Sequence, residues 1–315
     1  MDKNVWRKYY IKNFKRAVMN RLKRSGPSKT LTFKKDLMSL EDANRYIYEK
    51  LIEGSAFVAG RFGETEARAT ADGLGIIYKA KRRPEKARLY TLYNNAGVFP
   101  YGKETELRYA ECMEKLIPDI DMLFAWQTFM QDYLVDNYLS DKAVLAPLKS
   151  AEPYYSDEPW SKGLRGKKVL VIHPFTETIK SQYEKHELLF ENKDILPDFE
   201  LKTLKAVQTI AGQKDERFSD WFEALDHMYN EAMRIDFDVA IIGCGAYGLP
   251  LAIRLKLAGK QAIHMGGATQ ILFGIKGKRW DSHPVISKLY NENWTRPGDS
   301  ERPKCVENVE NGCYW

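Results

Sequence analysis

The chain has 315 residues, 44% of them hydrophobic and 29% charged, and a formal net charge of +6, so it can bury the core of one large α/β domain or two small ones. The charge is uneven: residues 1–35 hold twelve Lys/Arg against Asp2, and the other 280 carry 37 basic against 42 acidic residues, a net −5. A basic arm on a mildly acidic body is not the footprint of a DNA- or RNA-binding domain, which excludes nucleic acid as the expected partner.

In chain order, residues 3–24 place Trp6, Tyr10, Phe14, Val18 and Leu22 near one helical face, with Lys and Arg filling most of the remainder. This pattern predicts an interfacial amphipathic helix in peripheral contact with an anionic membrane. The alternative is a solvated helix whose aromatic stripe packs on the protein's own body. SGPSK at 25–29 reads as a linker, so residues 1–35 form a basic arm, 36–290 the main domain and 291–315 a tail. Ser39 and Asp42 make a capping box that starts a helix ending near Gly54. Ser55 to Arg61 is the first strand, and Phe62-Gly63 turns the chain into an acidic, helix-prone stretch at Glu64.

Met122–Ala125 and Ala143–Leu148 are further strand candidates. Lys168–His173 is a strand, followed after Pro174 by an amphipathic helix expected to run through Phe190. Phe199–Val207 is another strand, and Trp221–Arg234 is helical. Val239–Ile242, an uncharged β-branched run, then meets Gly243, Gly245 and Gly248 and a helix that stops at Gly259; Gln261–Met265 is a strand leading into Gly266-Gly267. Strands alternating with helices over most of the length predict a Rossmann-like, doubly wound, mainly parallel α/β sheet with a basic amphipathic helix at its N-terminal side. Cys112, Cys244, Cys305 and Cys313 form no Cys-x-x-Cys pair and no zinc spacing. With no apolar signal-peptide core after the basic start, the expected location is the cytoplasm, peripheral at the inner face of the membrane.

The candidate chemistry gathers at strand ends. Gly243-x-Gly245-x-x-Gly248 has the dinucleotide-fingerprint spacing, whose glycines let backbone N–H groups and a helix N-terminus approach a pyrophosphate. The end of the next strand holds His264, Met265 and two glycines, where a nicotinamide or flavin site needs an acid for the ribose. The loop therefore argues for a nucleotide or phosphate ligand better than for a redox cofactor, against the alternative of a glycine turn that only packs a helix. Tyr247, Gly266 and Gly267 belong to the same ligand-facing region, and His173, Asn94 and Asn95 lie at other strand-end or loop positions of the cleft. His173 and His264 are as readily buried structural histidines as site residues. In Arg61-Phe62-Gly63-Glu64-Thr65-Glu66, two carboxylates one residue apart suit Mg²⁺ or Mn²⁺ if the turn stays non-helical, which Gly63 at φ > 0 would ease. If the turn is helical, they only open a helix and meet its dipole. Lys276 to Trp280 is a basic run at the cleft mouth or on the surface.

RFGETE is similar to the Arg-Phe-Gly-Asp-x-Glu segment of the bacterial GT-D-type glycosyltransferases, a Rossmann-like group of polysaccharide and glycan biosynthesis. The stretch from Asp238 through Gly267 resembles that group as well, and HPFTETIKSQYEKHELLF and NNAGVFP look like segments of its uncharacterised relatives. The resemblance spans roughly residues 40–281. It implies a sugar-nucleotide donor, UDP-linked in first place, a glycan or lipid-linked saccharide acceptor, and Mn²⁺ or Mg²⁺ held by an Asp-x-Glu motif that maps onto Glu64 and Glu66. Glu64 stands here for the Asp, one methylene longer. Arg61 is then expected to assist the leaving group, and Glu66 or Glu177 to take a proton from the acceptor.

Overall fold

The computed structural model describes residues 2–22, 30–213, 215–303, 307 and 310–315; the linker expected at 25–29 and Cys305 lie outside the described residues. Seven parallel strands form one sheet: β1 (Phe57–Gly60), β2 (Met122–Ala125), β3 (Val144–Pro147), β4 (Lys168–His173), β5 (Glu200–Lys205), β6 (Val239–Ile242) and β7 (Gln261–His264), in the order β3-β2-β1-β7-β6-β4-β5. The central strands are short and, apart from Lys168 at the start of β4, uncharged because both faces are covered, and successive side chains feed opposite layers. Val58, Ile172, Ile242 and Ala262 enter one core with helices α3 (Glu64–Ile77), α5 (Lys103–Leu116), α8 (Trp221–Met233) and α9 (Gly248–Leu257). Phe57, Val171, Ile241 and Ile263 enter the other with α2 (Leu40–Glu53) and α7 (Thr176–Tyr183).

The order fixes where a ligand can sit. From β4 the chain moves outward to β5, whereas from β6 it moves the other way to β7, and β4 and β6 are hydrogen-bonded neighbours. Connections that leave in opposite directions open a crevice at the carboxyl ends of those two strands. The loop after β6 and His173 at the end of β4 stand on that crevice.

Local signals explain the elements that frame it. Ser39 caps α2, its hydroxyl accepting from the Asp42 N–H at 3.1 Å, and Gly54 ends the helix in the left-handed conformation at φ 74°. The helix expected to reach Phe190 stops at Tyr183. The Tyr183 hydroxyl donates toward the carbonyls of Pro197 and Phe199 at 3.2 and 2.9 Å, and its ring stacks on Phe199. A 3-10 turn at His186–Leu188 then tips Leu189 and Phe190 into the core, burial that outweighs the helical period. The sequence leaves α4 (Lys86–Asn94), α5 and α6 (Gln131–Tyr138) unassigned.

The two chain ends pack on the body. Helix α1 (Lys3–Leu22) does not present its aromatic residues on one face: Trp6 is buried, stacks on Tyr10 and donates its indole N–H to the Ala71 carbonyl at 2.7 Å, whereas Phe14, Val18 and Leu22 are exposed. A spacing of four advances a helical position by about 40° per step, so five such residues sweep around the cylinder instead of sharing a stripe. The stretch expected as a tail buries Trp294 and Trp315. Its Glu301 carboxylate accepts the Glu177 N–H at 2.8 Å and the Thr178 N–H at 3.3 Å, capping α7. Among the described residues no helix is long and apolar enough to cross a membrane.

Candidate active site

A cavity of about 230 Å³ opens at the carboxyl edge of the sheet. Arg61, Glu64 and Glu66 line it from the turn after β1, Trp126 from the end of β2, and His173 from β4. Gly243, Gly245 and Tyr247 line it from the loop after β6, and His264, Gly266 and Gly267 from the end of β7. Asn95 completes the wall from beyond α4. Residues far apart in sequence meet because parallel strands deliver their ends to one edge.

The two glycine turns form its floor. Gly245 and Gly266 adopt φ of 56° and 67°, the left-handed region that glycine enters without strain. A Cβ on Gly243 would stand 2.5 Å from Thr269 Oγ1 and 2.7 Å from both the Gly266 carbonyl and His173 Cδ2, so glycine is what lets the two loops and β4 close together. Among the described residues no protein acceptor pairs with the N–H groups of Cys244, Gly245, Gly266 or Gly267. Backbone donors left open in such turns make an anion-binding concavity. Gly248 does something else. It starts α9 away from the cavity, and a Cβ there would lie 2.1 Å from His264 Cε1: the third glycine packs a helix on a strand and does not touch a ligand.

Both histidines are buried and neutral. His173 Nδ1 accepts the Phe175 N–H at 3.0 Å, which puts its proton on Nε2. His264 Nδ1 lies 3.2 Å from the Ile242 carbonyl, which assigns that nitrogen as the donor. Burial lowers both to about 3, with Arg61 adding to the effect at His264. Each has one nitrogen bonded to backbone and lines the cavity. Tyr247 is held by a 2.9 Å bond to the Thr209 hydroxyl and by stacking on Trp221, which locks the glycine loop. Asn94 sits behind the wall and donates to Asn95 Oδ1 at 2.9 Å, orienting the asparagine that faces the cavity.

Among the described residues Arg61 is one of the two cations on the wall, Arg279 the other. The Arg61 guanidinium lies 4.6 Å from the Trp126 ring centroid, and its Nε is buried without a hydrogen-bond partner. A guanidinium held over an aromatic face keeps N–H donors for an incoming anion.

The carboxylates do not fit as a joint metal pair. Helix α3 begins at Glu64 itself, and side chains two residues apart on a helix diverge by roughly 200°. Glu64, half exposed, turns to Arg68 at 2.9 Å. Glu66 folds back beneath Gly63, where a Cβ would meet its Oε2 at 2.0 Å. Gly63 has φ −73°, so its missing side chain makes room for Glu66 and serves no left-handed turn. Among the described residues no group of three or more His, Cys, Asp or Glu side chains could hold a metal ion. Glu177 is also displaced from its expected role: it lies outside the cavity wall, exposed and paired with Lys180 at 2.9 Å, because the first turn of α7 points it to solvent.

The C-terminal end supplies residues that the sequence reading did not place. Tyr314 lies over Gly267, its carbonyl accepts from Gln270 Nε2 at 3.1 Å, and its hydroxyl accepts from Arg279 at 2.9 Å. Trp315 packs edge-on to Phe175. Arg279, Tyr314 and Trp315 all line the cavity. Arg279 carried a signal in its basic run, and Trp126 one in its place just past a strand. Nothing in the sequence brings Tyr314 back to Gly267.

No protein-family model matches the chain, and no curated protein matches it. Among solved structures it is similar to a selenomethionine-substituted domain of unknown function 1792, at 12% identity and a TM-score of 0.48 over 88% of this chain and 95% of that one. It is also similar to a structure described as showing that the highly conserved domain of unknown function 1792 has a distinct glycosyltransferase fold, at 11% identity and a TM-score of 0.47 over the same shares.

Proposed function

We propose that the chain is a glycosyltransferase that moves a sugar from a nucleoside diphosphate, UDP in first place, to a hydroxyl of a glycan or lipid-linked saccharide. The observation that carries the reading is the Arg61 guanidinium, over the Trp126 ring with an unpartnered Nε, in one cavity with two glycine turns in which the N–H groups of Cys244, Gly245, Gly266 and Gly267 have no acceptor among the described residues. A cation and convergent backbone donors are what a diphosphate leaving group needs as charge grows on it when the C1–O bond to the donor breaks. A dinucleotide redox cofactor fits less well, since among the described residues the acids on the wall are Glu64 and Glu66, beside β1, and no wall acid follows β7.

In this reading Arg61 and the turns at Gly243–Gly245 and Gly266–Gly267 bind the diphosphate, and the neutral His173 offers its Nε2–H to a donor oxygen. Glu64, at the mouth, takes the proton of the attacking hydroxyl as the new C1–O bond forms. Glu66 holds the turn that presents Arg61. No step is assigned to a metal ion, because the carboxylates that would hold it point apart.

Calorimetric titration of UDP and GDP, with and without Mn²⁺, into the wild type and Arg61→Ala tests this. A diphosphate should bind the wild type without requiring Mn²⁺. Loss of a charge-assisted contact of about 1.5–3 kcal/mol should weaken it roughly 10- to 100-fold in the variant. Failure of both diphosphates under every metal condition would remove the donor site. Binding that appears only with Mn²⁺ would return the carboxylates to a ligand role and require the first turn of α3 to open.

A further inference from the structure

Helix α1 has two apolar faces, and the fold uses one. Trp6, Tyr9, Tyr10 and Asn13 face the body: Asn13 donates to Asp132 at 2.7 Å, and the Tyr9 hydroxyl to Asp136 at 2.8 Å. On the opposite side Ile11, Phe14, Val18 and Leu22 follow spacings of three, four and four, and their exposures are 53, 55, 38 and 71%. Residues so spaced share one stripe of a helix. The stripe is rimmed by exposed Arg7, Lys8, Lys15 and Arg21. The helix has seven Lys/Arg and no acidic residue over its twenty positions. Two of those cations are engaged toward the body, Lys12 with Asp132 at 2.9 Å and Arg16 with the Gln127 carbonyl at 3.3 Å.

We propose that this outward face docks on an anionic lipid bilayer, the helix lying in the interface. An apolar row with a wholly cationic rim repels a basic partner and complements a surface of phosphate headgroups, with Phe14 and Leu22 reaching the acyl boundary. Anchoring by Trp6 and Asn13 fixes the helix side-on to the protein, so the stripe is presented as a rigid edge and need not fold on contact. The charge pattern that suggested a membrane helix therefore acts through Ile11, Phe14, Val18 and Leu22, while the aromatics Trp6 and Tyr10 hold the helix to the protein. The position matters for the site. A groove lined by Arg16, Asn20, Arg68 and Gln127 lies on the inner side of α1 and shares Glu64 and Trp126 with the cavity. A docked helix holds the cavity one groove away from the headgroups, within reach of an acceptor carried in the lipid. The docking itself is independent of the nucleotide reading.

Co-sedimentation with vesicles tests it, using phosphatidylcholine alone and phosphatidylcholine mixed with phosphatidylglycerol, at low and high salt. The wild type should pellet with the mixed vesicles at low salt, less so at high salt, and not with phosphatidylcholine alone. The triple variant Ile11→Ser/Phe14→Ser/Leu22→Ser should lose about tenfold or more of that binding with an unchanged thermal melt, since its side chains are exposed. No pelleting with the anionic vesicles at low salt would overturn the proposal, as would a triple variant that binds like the wild type. Sedimentation velocity without lipid covers the remaining occupant: a wild-type dimer that the triple variant dissolves would assign the face to a second copy and also overturn it.

Discussion

The turn after β6 and the turn after β1 both end a central parallel strand at the same cavity, and they enter their helices differently. After β6 the chain makes a left-handed residue at Gly245 and a 3-10 turn before α9 starts, and the Cys244 and Gly245 N–H groups, in residues that line the cavity, have no protein acceptor among the described residues. After β1 the helix starts at once, Gly63 is its N-cap, and Glu66 is folded against it. The turn after β6 leaves backbone donors for an external anion, and the turn after β1 offers a side chain, Arg61, as well. Glycine serves both, for conformation and close approach in one and for room beneath a carboxylate in the other.

The largest expected effect on stability comes from the histidines that the β6 loop and its neighbour bury. Both have folded values near 3 against an ordinary 6.5. The unfolded chain therefore binds protons that the native state refuses, and the stabilisation is complete above pH 6.5 and is lost as pH falls toward 3. The slope is about 1.4 kcal/mol per pH unit for each, or about 4 kcal/mol for the pair at pH 5. Glu106 acts in the opposite sense. Burial, and Asp72 beside it, push it up to about 7, so its contribution is present below its ordinary 4.5 and is lost as pH rises through 7. The clean measurement is thus a difference. Urea unfolding of the wild type and His173→Asn/His264→Asn should converge as pH drops from 7 to 5, the variant keeping a flatter profile. Parallel profiles would show that the histidines titrate normally.

Next in size is a direct contest between the turns. Gly243→Ala drives a methyl into Thr269, a backbone carbonyl and His173, none of which is a flexible end, and should cost about 1–3 kcal/mol. Gly63→Ala meets only the Glu66 carboxylate, which can swing away, and should cost below about 1 kcal/mol. Equal losses in urea melts would mean that Glu66 is as fixed as the β6 loop and that the contrast fails.

The sheet was legible because its central strands are short, mostly apolar runs, and parallel burial leaves that mark on Val239–Ile242 and on Val169–Ile172 within β4, whereas the edge strand β5 carries Glu200, Lys202 and Lys205. The β6 loop was legible because its constraint is conformational and only glycine meets it. The β1 turn was not, since Glu-x-Glu reads equally as ligands or as a helix start, and the choice depends on whether Gly63 is an N-cap, a fact of three dimensions. The spacing of Trp6 and Tyr10 fits an outward stripe or one packed on the body for a similar reason: it sets neighbours along a helix and says nothing about which side the body occupies. Tyr314 could not be placed at all, because its contact with Gly267 spans 47 residues and rests on Gln270 and Arg279 holding the chain end.

The smallest effect on the fold separates the two roles open to the β1 turn. Glu64→Gln removes a half-exposed pair with Arg68 and one charge near a helix N-terminus, together no more than about 1 kcal/mol. Diphosphate affinity should hold, because Arg61 and the glycine turns are untouched. Transfer should fall by roughly 10²–10⁴-fold if the carboxylate takes the acceptor proton, with the loss in kcat and the donor KM nearly constant. A metal ligand would behave differently: the same change would weaken Mn²⁺-dependent diphosphate binding itself. Measuring donor affinity and turnover on one variant therefore decides whether the turn after β1 supplies a base or a ligand, and a Glu64→Gln enzyme with full turnover would leave it neither.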